Sequence, residues 1–436
     1  MLKTIGYYFQ KIKQNSFIHQ SIITLILRVF GVLILFGFTL FLTKNFSPKI
    51  VGQYDFVRSY LFVIGSICLL GCDQSILYFR GQLKGTYSLI GLKGIYVKMV
   101  GILLVMSILL CLLVSVINEP FIDSFFSDQG VYKLLYQATL LLIFYALTTL
   151  NIEVIRALDH LYVAELFRNS IKYVPVIVGA VILKYTDNES YLPDVFLGGF
   201  ILLALVTTVI VWYYFSKNKV DASSSITSYK EIITKSYPIA VSGMALFLLI
   251  SFDIMFLKKY RGDATVAFYA LAVKLMTILS MIIVTVNITV STKIAEFHSA
   301  GNLEQLKGVI KNSSRLILVL TLPAALFLCL FADPILGFFG KEYVLAKDAL
   351  LILTIGQVIC SAFGSAPVYL NMTGRQHIFQ RIVVVAVLLN LGFNRWLIPI
   401  YGMTGAASAF VISSLFWNLC SAIVIYKRDK IVVFLN

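Results

Sequence analysis

This chain contains few charged residues for its length. Of its 436 residues, 13% are charged and 59% are hydrophobic, and the mean hydropathy is +0.89. A soluble globular domain carries about a quarter charged residues. The composition therefore excludes an ordinary soluble protein and favours a polytopic membrane protein.

Sequence signals of catalysis and of cofactor binding are also missing. The chain has no Gly-rich phosphate loop of the kind that binds ATP and no nucleophile–base pair. Its cysteines lie in or beside apolar runs, without the clustering of metal ligands. Histidine is the commonest general base, but the four histidines lie in or beside predicted cytoplasmic segments: His19, His160, His298 and His377. We therefore expect no enzyme, no catalytic residue, no metal and no cofactor.

Long apolar runs occupy most of the chain. A helix needs about 20 apolar residues to cross the hydrocarbon core of a bilayer. The first run is longer than the apolar core of a signal peptide and lacks a small-residue cleavage site, so we expect it to remain as a span. The runs predict an all-α protein with about twelve transmembrane helices, at 18–43, 54–79, 94–117, 131–151, 165–184, 194–215, 236–257, 265–291, 313–331, 346–371, 378–398 and 404–426.

The distribution of Lys and Arg predicts the orientation of these spans. With a cytoplasmic N-terminus, the inner segments hold more than twice as many Lys and Arg residues as the outer segments. Twelve spans then also place the basic C-terminal segment in the cytoplasm. The net charge of +15 is explained mainly by this bias toward anionic lipid headgroups, and we expect no nucleic acid partner.

Two stretches of the chain resemble each other. LTKNFSPKIVGQY begins at Leu42 and LKKYRGDATVAFY begins at Leu257, and each joins two apolar runs. Repeated halves are common in transporters. We predict an N-terminal lobe at 1–215 with spans one to six, a Ser-rich cytoplasmic linker at 216–235, and a C-terminal lobe at 236–436 with spans seven to twelve. The end of the linker, SYKEIITK, is typical of a short amphipathic helix on the membrane surface.

A few charged residues fall inside the predicted spans. A charge deep in a span is unfavourable by several kcal/mol or more unless it faces protein or water, so these residues are candidates for function. Arg28 and Lys274 lie deep, whereas Arg58 lies nearer the outer surface. The alternatives are structural ion pairs for Arg28 and Lys274, and an Arg58 that extends to the headgroups. Asp253 is the expected ion-pair partner of Lys274, or a carboxylate that couples transport to protons.

The excess of cations over anions at depth indicates an anionic ligand. Arg and Lys are suited to phosphate oxygens, so a ligand that carries a diphosphate would fit and a cationic drug would not. We expect Arg28, Lys274 and Arg58 to bind substrate.

Three motifs resemble a known family. The run NLGFNRWLIPIYGMTGAASA (Asn390–Ala409) resembles spans eleven and twelve of the polysaccharide-exporter branch of the multidrug/oligosaccharidyl-lipid/polysaccharide (MOP) transporters. FSPKIVGQYDF (Phe46–Phe56) resembles the first outer turn of that branch, and VAFYALAVKL (Val266–Leu275) is similar to its second-lobe counterpart. The resemblance is strongest to Wzx-type flippases of polysaccharide repeat units.

This resemblance implies two six-helix lobes around a cationic cavity that opens alternately to either side. It implies a substrate as well, an undecaprenyl-diphosphate-linked oligosaccharide such as an O-antigen or capsule repeat unit. The implied location is the bacterial inner membrane, with both termini cytoplasmic. The implied partners are the lipid bilayer and other membrane proteins of polysaccharide assembly.

Several alternatives stay open at this point. A lipid II flippase commonly has two further spans, and a multidrug exporter is expected to carry a carboxylate at mid-depth. The major-facilitator fold has a Gly/Asp/Arg-rich turn that RGQLKGTYSLIGLKG (Arg80–Gly94) lacks. A membrane-embedded polysaccharide polymerase would need a large outer loop, and an acyltransferase would need a buried histidine.

Overall fold

The computed structural model of this chain describes residues 16–83, 88–217 and 227–433. The described segments are almost entirely helical and contain no β-strand, which confirms the predicted all-α class. In chain order the helices are α1 (Ser16–Asn45), α2 (Pro48–Leu69), α3 (Cys72–Gln82), α4 (Ser88–Val116), α5 (Glu119–Phe126), α6 (Val131–Leu140), α7 (Leu142–Ala157), α8 (Leu161–Asn169), α9 (Val174–Tyr185), α10 (Leu192–Lys217), α11 (Tyr229–Arg261), α12 (Asp263–Ser299), α13 (Leu303–Leu330), α14 (Ala332–Phe339), α15 (Lys347–Ser361), α16 (Ala366–Met372), α17 (Gln376–Tyr401) and α18 (Met403–Asp429).

The described segments contain nine helical stretches that are long and apolar enough to cross a membrane, or up to eleven spans if each of two bent helix pairs counts as one. These spans correspond to eleven of the twelve predicted ones. The remaining one, 236–257, falls within α11, where several side chains lie outside those described.

Two predicted spans are bent instead of straight. The predicted span 54–79 is divided between α2 and α3, which meet at 41°, and 131–151 is divided between α6 and α7, which meet at 45°. At the first bend, Leu70 and Gly71 have φ values of 46° and 77°. This left-handed backbone ends a right-handed helix, and an apolar pattern alone does not reveal it.

The end of the linker is helical, as predicted, but it is not a short separate helix. Its residues form the first turns of α11, which continues without a break to Arg261. The Ser-rich centre of the linker, 218–226, lies outside the described residues. The predicted lobe boundaries at 1–215, 216–235 and 236–436 stay a prediction.

Contacts divide the chain into two compact units. The first, the N-unit, comprises the described residues of Met1–Asn45, Gly65–Val116 and Tyr136–Tyr237. The second, the C-unit, comprises Phe46–Ile64, Ile117–Leu135 and the described residues of Pro238–Asn436. Each unit has its own buried polar contacts, which are described separately below.

A buried hydrogen-bond network joins three helices of the N-unit. The hydroxyl of Tyr96 on α4 donates to Oδ1 of Asn151 on α7 at 2.8 Å. Nδ2 of Asn151 donates to Thr207 and Thr208 on α10 at 3.1 and 2.9 Å. Because a hydrogen bond is stronger away from water, this network fixes how α4, α7 and α10 pack.

The C-unit is built around an apolar core. Leu249 on α11 and Ile294 on α12 belong to it, as do Phe379 on α17 and Ile425 on α18. Residues beyond α18 also take part, because Val433 is buried in the same core. Helices that are apolar on several faces bury one face here and leave others exposed to the surroundings.

Candidate functional site

Three charged residues, two of them buried, lie together in the C-unit, and we call Asp55, Arg58 and Lys274 the charge triad. Asp55 and Arg58 are one turn apart on α2, and Lys274 is on α12. Nζ of Lys274 lies 2.9 Å from each carboxylate oxygen of Asp55. Nη1 of Arg58 donates to Oδ1 of the same carboxylate at 3.2 Å. Within the triad, two cations therefore share one anion.

The members of the triad differ in exposure. The side chain of Asp55 is 2% exposed and that of Lys274 is 8% exposed, whereas Arg58 is 21% exposed. The guanidinium of Arg58 also stands 5.4 Å from the centre of the Phe62 ring. Arginine has five N–H donors, and Arg58 directs one of them to Asp55 while part of its side chain stays exposed.

Close helix packing brings the triad together. A Cβ atom at Gly52, one turn before Asp55 on α2, would lie 1.8 Å from the backbone oxygen of Asp263. A glycine is therefore required where α2 meets the start of α12. This contact places α2 against the helix that carries Lys274.

One expectation about these residues is wrong. Lys274 was expected to be unpaired or to pair with Asp253, but its carboxylate partner is Asp55. Asp55 lies near the start of a predicted span, where a carboxylate is ordinarily solvated, but the structure buries it. Arg58 bonds within the bundle rather than extending away from it. The signal that could have indicated the triad is the one-turn spacing of Asp55 and Arg58.

Arg28 lies in the N-unit and is also paired. Its Nε and Nη2 atoms donate to the two carboxylate oxygens of Glu165 on α8 at 3.3 and 3.4 Å. Glu165 is 1% exposed, and Nδ2 of Asn169 donates to its carboxylate at 2.9 Å. A Cβ at Gly31 would lie 2.5 Å from the backbone oxygen of Asn169, so α1 packs tightly on α8.

Arg28 therefore has the ion-pair partner that the structural alternative predicted, and its role in substrate binding stays a prediction. Glu165 was missed because it begins a predicted span, where a carboxylate is usually interfacial. Arg28 and its partner are described within the N-unit, and the charge triad within the C-unit. The contact between Arg28 and Glu165 joins α1 to α8.

Asp253 is fully buried on α11 without a cation. Its Oδ2 accepts a hydrogen bond from the Tyr269 hydroxyl at 2.8 Å. Its Oδ1 accepts from Nδ2 of Asn390 and of Asn394 on α17 at 3.1 and 2.7 Å. Among residues 16–83, 88–217 and 227–433, no Lys, Arg or His makes an ion pair with Asp253. A carboxylate held by neutral donors alone can change its protonation state without breaking an ion pair.

The sequence of this chain is similar to one family model and to a relative of described function. Residues 238–396 match the MatE family model. The probable low-salt glycan biosynthesis flippase Agl15 of Haloferax volcanii is 26% identical over 220 residues, and this match covers 49% of the present chain. The match also covers 46% of that relative, which is about half of its length.

Two solved structures share the fold across nearly the whole chain. The lipid II flippase MurJ in an inward closed conformation has a TM-score of 0.74 at 15% identity, covering 94% of this chain and 87% of that one. The MATE multidrug transporter DinF-BH in complex with R6G has a TM-score of 0.66 at 16% identity, covering 96% and 95%. The chain is therefore a multi-pass membrane protein that shares the helical fold of these MATE and MurJ structures, and its residues 238–396 match the MatE family model.

Proposed function

We propose that this protein is a flippase for an undecaprenyl-diphosphate-linked oligosaccharide, such as an O-antigen or capsule repeat unit. The observation that carries the proposal is the charge triad, in which Arg58 and Lys274 share the single carboxylate of Asp55. Burial of these groups is favourable only when each charge has partners. Within the triad two positive charges face one carboxylate, and a diphosphate would bring further negative charge to them.

Asp55 has a definite role in this proposal. Without substrate it pairs with both cations and orients them, which reduces the energetic penalty of burying their charges. A diphosphate can then add to the exposed donors of Arg58 and compete with Asp55 for Lys274. Because Arg binds phosphate oxygens through two parallel N–H bonds and Lys as a point charge, the triad suits a diphosphate better than a cation.

The role of Arg28 in this proposal is revised. Both of its contacts with Glu165 are long, at 3.3 and 3.4 Å, and its side chain is 25% exposed. We keep Arg28 as a substrate contact that depends on release from Glu165. Arg58 and Lys274 are the primary contacts.

Asp253 is proposed as the coupling residue. Its neutral donors, Tyr269, Asn390 and Asn394, allow it to accept a proton while the helices keep their packing. Proton entry there would drive alternating access. The proposal includes the cytoplasmic membrane of a bacterium with both termini inside, the lipid bilayer, and contacts with other membrane proteins of polysaccharide assembly.

The named relatives support a flippase in different degrees. Agl15 is described as a probable glycan biosynthesis flippase and MurJ as a lipid II flippase, so both descriptions name a flippase. DinF-BH is described as a multidrug transporter. A multidrug exporter is therefore the second candidate, favoured by the buried carboxylate of Asp253, which no cation neutralises in the described chain.

Transport by the purified protein in proteoliposomes separates these candidates. One preparation receives an undecaprenyl-diphosphate-linked oligosaccharide and a second receives the cationic dye R6G. We expect the first to be moved to the other leaflet and the second to be ignored. Accumulation of R6G without movement of the lipid-linked sugar would contradict the proposal and favour the exporter.

A further inference from the structure

A second group of cations lies at the other end of the α2 segment that carries the triad. It surrounds a cavity of about 670 Å³ where α11 ends, Gly262 turns with φ 80°, and α12 begins. Lys49, Lys258, Lys259 and Arg261 line this basic cavity. The orientation predicted from the charge count places it at the outer surface, where cations are otherwise sparse.

One of these cations is held internally. The Lys258 ammonium is 1% exposed and bonds to Asp263 at 2.6 Å and to Asp128. It also stands 5.8 Å from the centre of the Phe56 ring. Lys258 therefore ties the loop before α6 to the start of α12 and forms a fixed wall of the cavity.

The other three cations have no carboxylate partner among the described residues. Lys259 stands 3.4 Å from the centre of the Phe125 ring, and the positive charge of Arg395 acts on it as well. Arg261 donates to the backbone oxygens of Pro399 and Ile400 at 2.9 and 3.2 Å, which orients it without neutralising it. Lys49 is exposed. The basic cavity therefore attracts anions.

A polar cavity of about 660 Å³ adjoins the basic one. The two share Ser127 and Asp128 in their linings. The polar cavity adds Glu119, Asp123 and Gln129. The two carboxylates accept hydrogen bonds and repel a phosphate, whereas the neutral amide of Gln129 both donates and accepts. Such groups suit sugar hydroxyls, which both donate and accept.

We propose that the two cavities together bind a glycosyl phosphate, with the phosphate at Lys49, Lys259 and Arg261 and the sugar beside Glu119 and Gln129. The inference rests on the proposed function, because it gives the headgroup of the carried lipid a second site. Lys49, Gly52, Asp55 and Arg58 follow one another at about one turn along α2. The basic cavity and the charge triad therefore lie along one helix.

Titration calorimetry of the full chain in nanodiscs of neutral phosphatidylcholine tests this site. The probe is N-acetylglucosamine 1-phosphate, compared with inorganic phosphate and with N-acetylglucosamine. We expect saturable binding of the sugar phosphate, tighter than that of either half alone. Equal affinity for inorganic phosphate would overturn the sugar assignment, and no saturable binding would overturn the site.

Variants locate the binding. The double variant K49Q/K259Q removes two of these cations. Its affinity for the sugar phosphate should be lower by about tenfold or more, since each charged hydrogen bond contributes about 1.4 kcal/mol or more. K49R/K259R should retain binding, which guards against a folding defect. The control K133Q removes an exposed cation on α6 that lines neither cavity. Equal binding by K49Q/K259Q and K133Q would overturn the proposal.

Lipid headgroups are the other source of phosphate. Repeating the titration in nanodiscs that contain phosphatidylglycerol should leave the affinity for the sugar phosphate nearly unchanged. Complete displacement by phosphatidylglycerol would identify the site as a lipid site and overturn the proposal. The probe needs no transport, so binding without flipping overturns the proposed function alone, and flipping without binding overturns this inference alone.

Discussion

The ammonium group of Lys274 lies 2.9 Å from the carboxylate of Asp55, although 219 positions separate the two residues in the chain. Both side chains are buried. Removing one partner of a buried ion pair typically destabilises a protein by about 3–5 kcal/mol. The pair therefore stabilises the contact between α2 and α12, and it also contributes one cation and the one carboxylate of the charge triad.

The first prediction concerns the energetic coupling of this pair. K274Q and D55N should each lower the thermal stability of the purified protein. The loss of stability in K274Q should be nearer to about 3 kcal/mol, because Arg58 still neutralises Asp55. The double variant D55N/K274Q should be more stable than the sum of the single losses predicts, with a coupling of about 1–3 kcal/mol. Thermal unfolding in detergent measures this, and additive losses would mean that the two groups do not interact.

The second prediction concerns Gly52. A methyl group there would meet the backbone oxygen of Asp263, and such overpacking typically destabilises by about 1–3 kcal/mol or more. G52A should therefore unfold at a lower temperature and weaken the triad. The control is G37A, since a Cβ at Gly37 meets nothing within 4 Å. Equal melting temperatures for the two variants would contradict the close approach of α2 and α12.

The third prediction concerns Asp253. D253N replaces an acceptor by an amide that faces the Nδ2 groups of Asn390 and Asn394, so the variant should lose about 1–3 kcal/mol of stability. If Asp253 takes up the coupling proton, transport by D253N should no longer respond to an imposed proton gradient. Flipping in proteoliposomes with and without that gradient measures the response. The control D333N alters an exposed carboxylate that pairs with Lys347. A gradient response equal to that of D333N would rule out this role.

The fourth prediction concerns pH and the segment after α5. The backbone N–H groups of Gly130 and Tyr132 donate to the Asp123 carboxylate at 3.0 Å each. These bonds hold the pKa of Asp123 below its usual value. A lowered pKa in the folded state means that the carboxylate stabilises this segment above its unfolded pKa of about 3.9. That contribution is lost as the pH falls through the folded value.

Amide hydrogen exchange, measured from neutral pH to below about pH 4, tests whether Asp123 stabilises this segment. Protection of Gly130 and Tyr132, corrected for the intrinsic exchange rate, should fall as the solution is acidified below about pH 4. D123N should show lower protection at neutral pH and little change with acid. D187N, at another exposed turn, serves as the control. Protection in the native chain that stays constant on acidification would show that Asp123 does not hold the segment.

Sequence reasoning predicted the helical spans because their signal is local. An apolar run longer than a bilayer is thick appears in the chain whatever its neighbours are, and α4, α12 and α18 lie close to where they were expected. The bend at Leu70 was not predicted, since it depends on left-handed backbone torsion at a leucine. Single apolar residues give no sign of such a torsion.

The partners of the buried charges were harder to predict than the charges themselves. Arg28, Arg58 and Lys274 stand out because cations are rare inside apolar runs. Their partners Asp55 and Glu165 lie near span ends, where a carboxylate is ordinarily solvated. Only packing between distant segments shows that both are buried.

The most direct measurement of the central claim compares the affinity of the purified protein for undecaprenyl diphosphate with its affinity for undecaprenol. The native chain should bind the diphosphate more tightly, and K274Q and R58Q should each reduce that preference by about tenfold or more, because each removes a charged contact of about 1.4 kcal/mol or more. K133Q should leave it unchanged. If K274Q and R58Q preferred undecaprenyl diphosphate over undecaprenol as strongly as K133Q does, the assignment of the charge triad as the headgroup site would be contradicted.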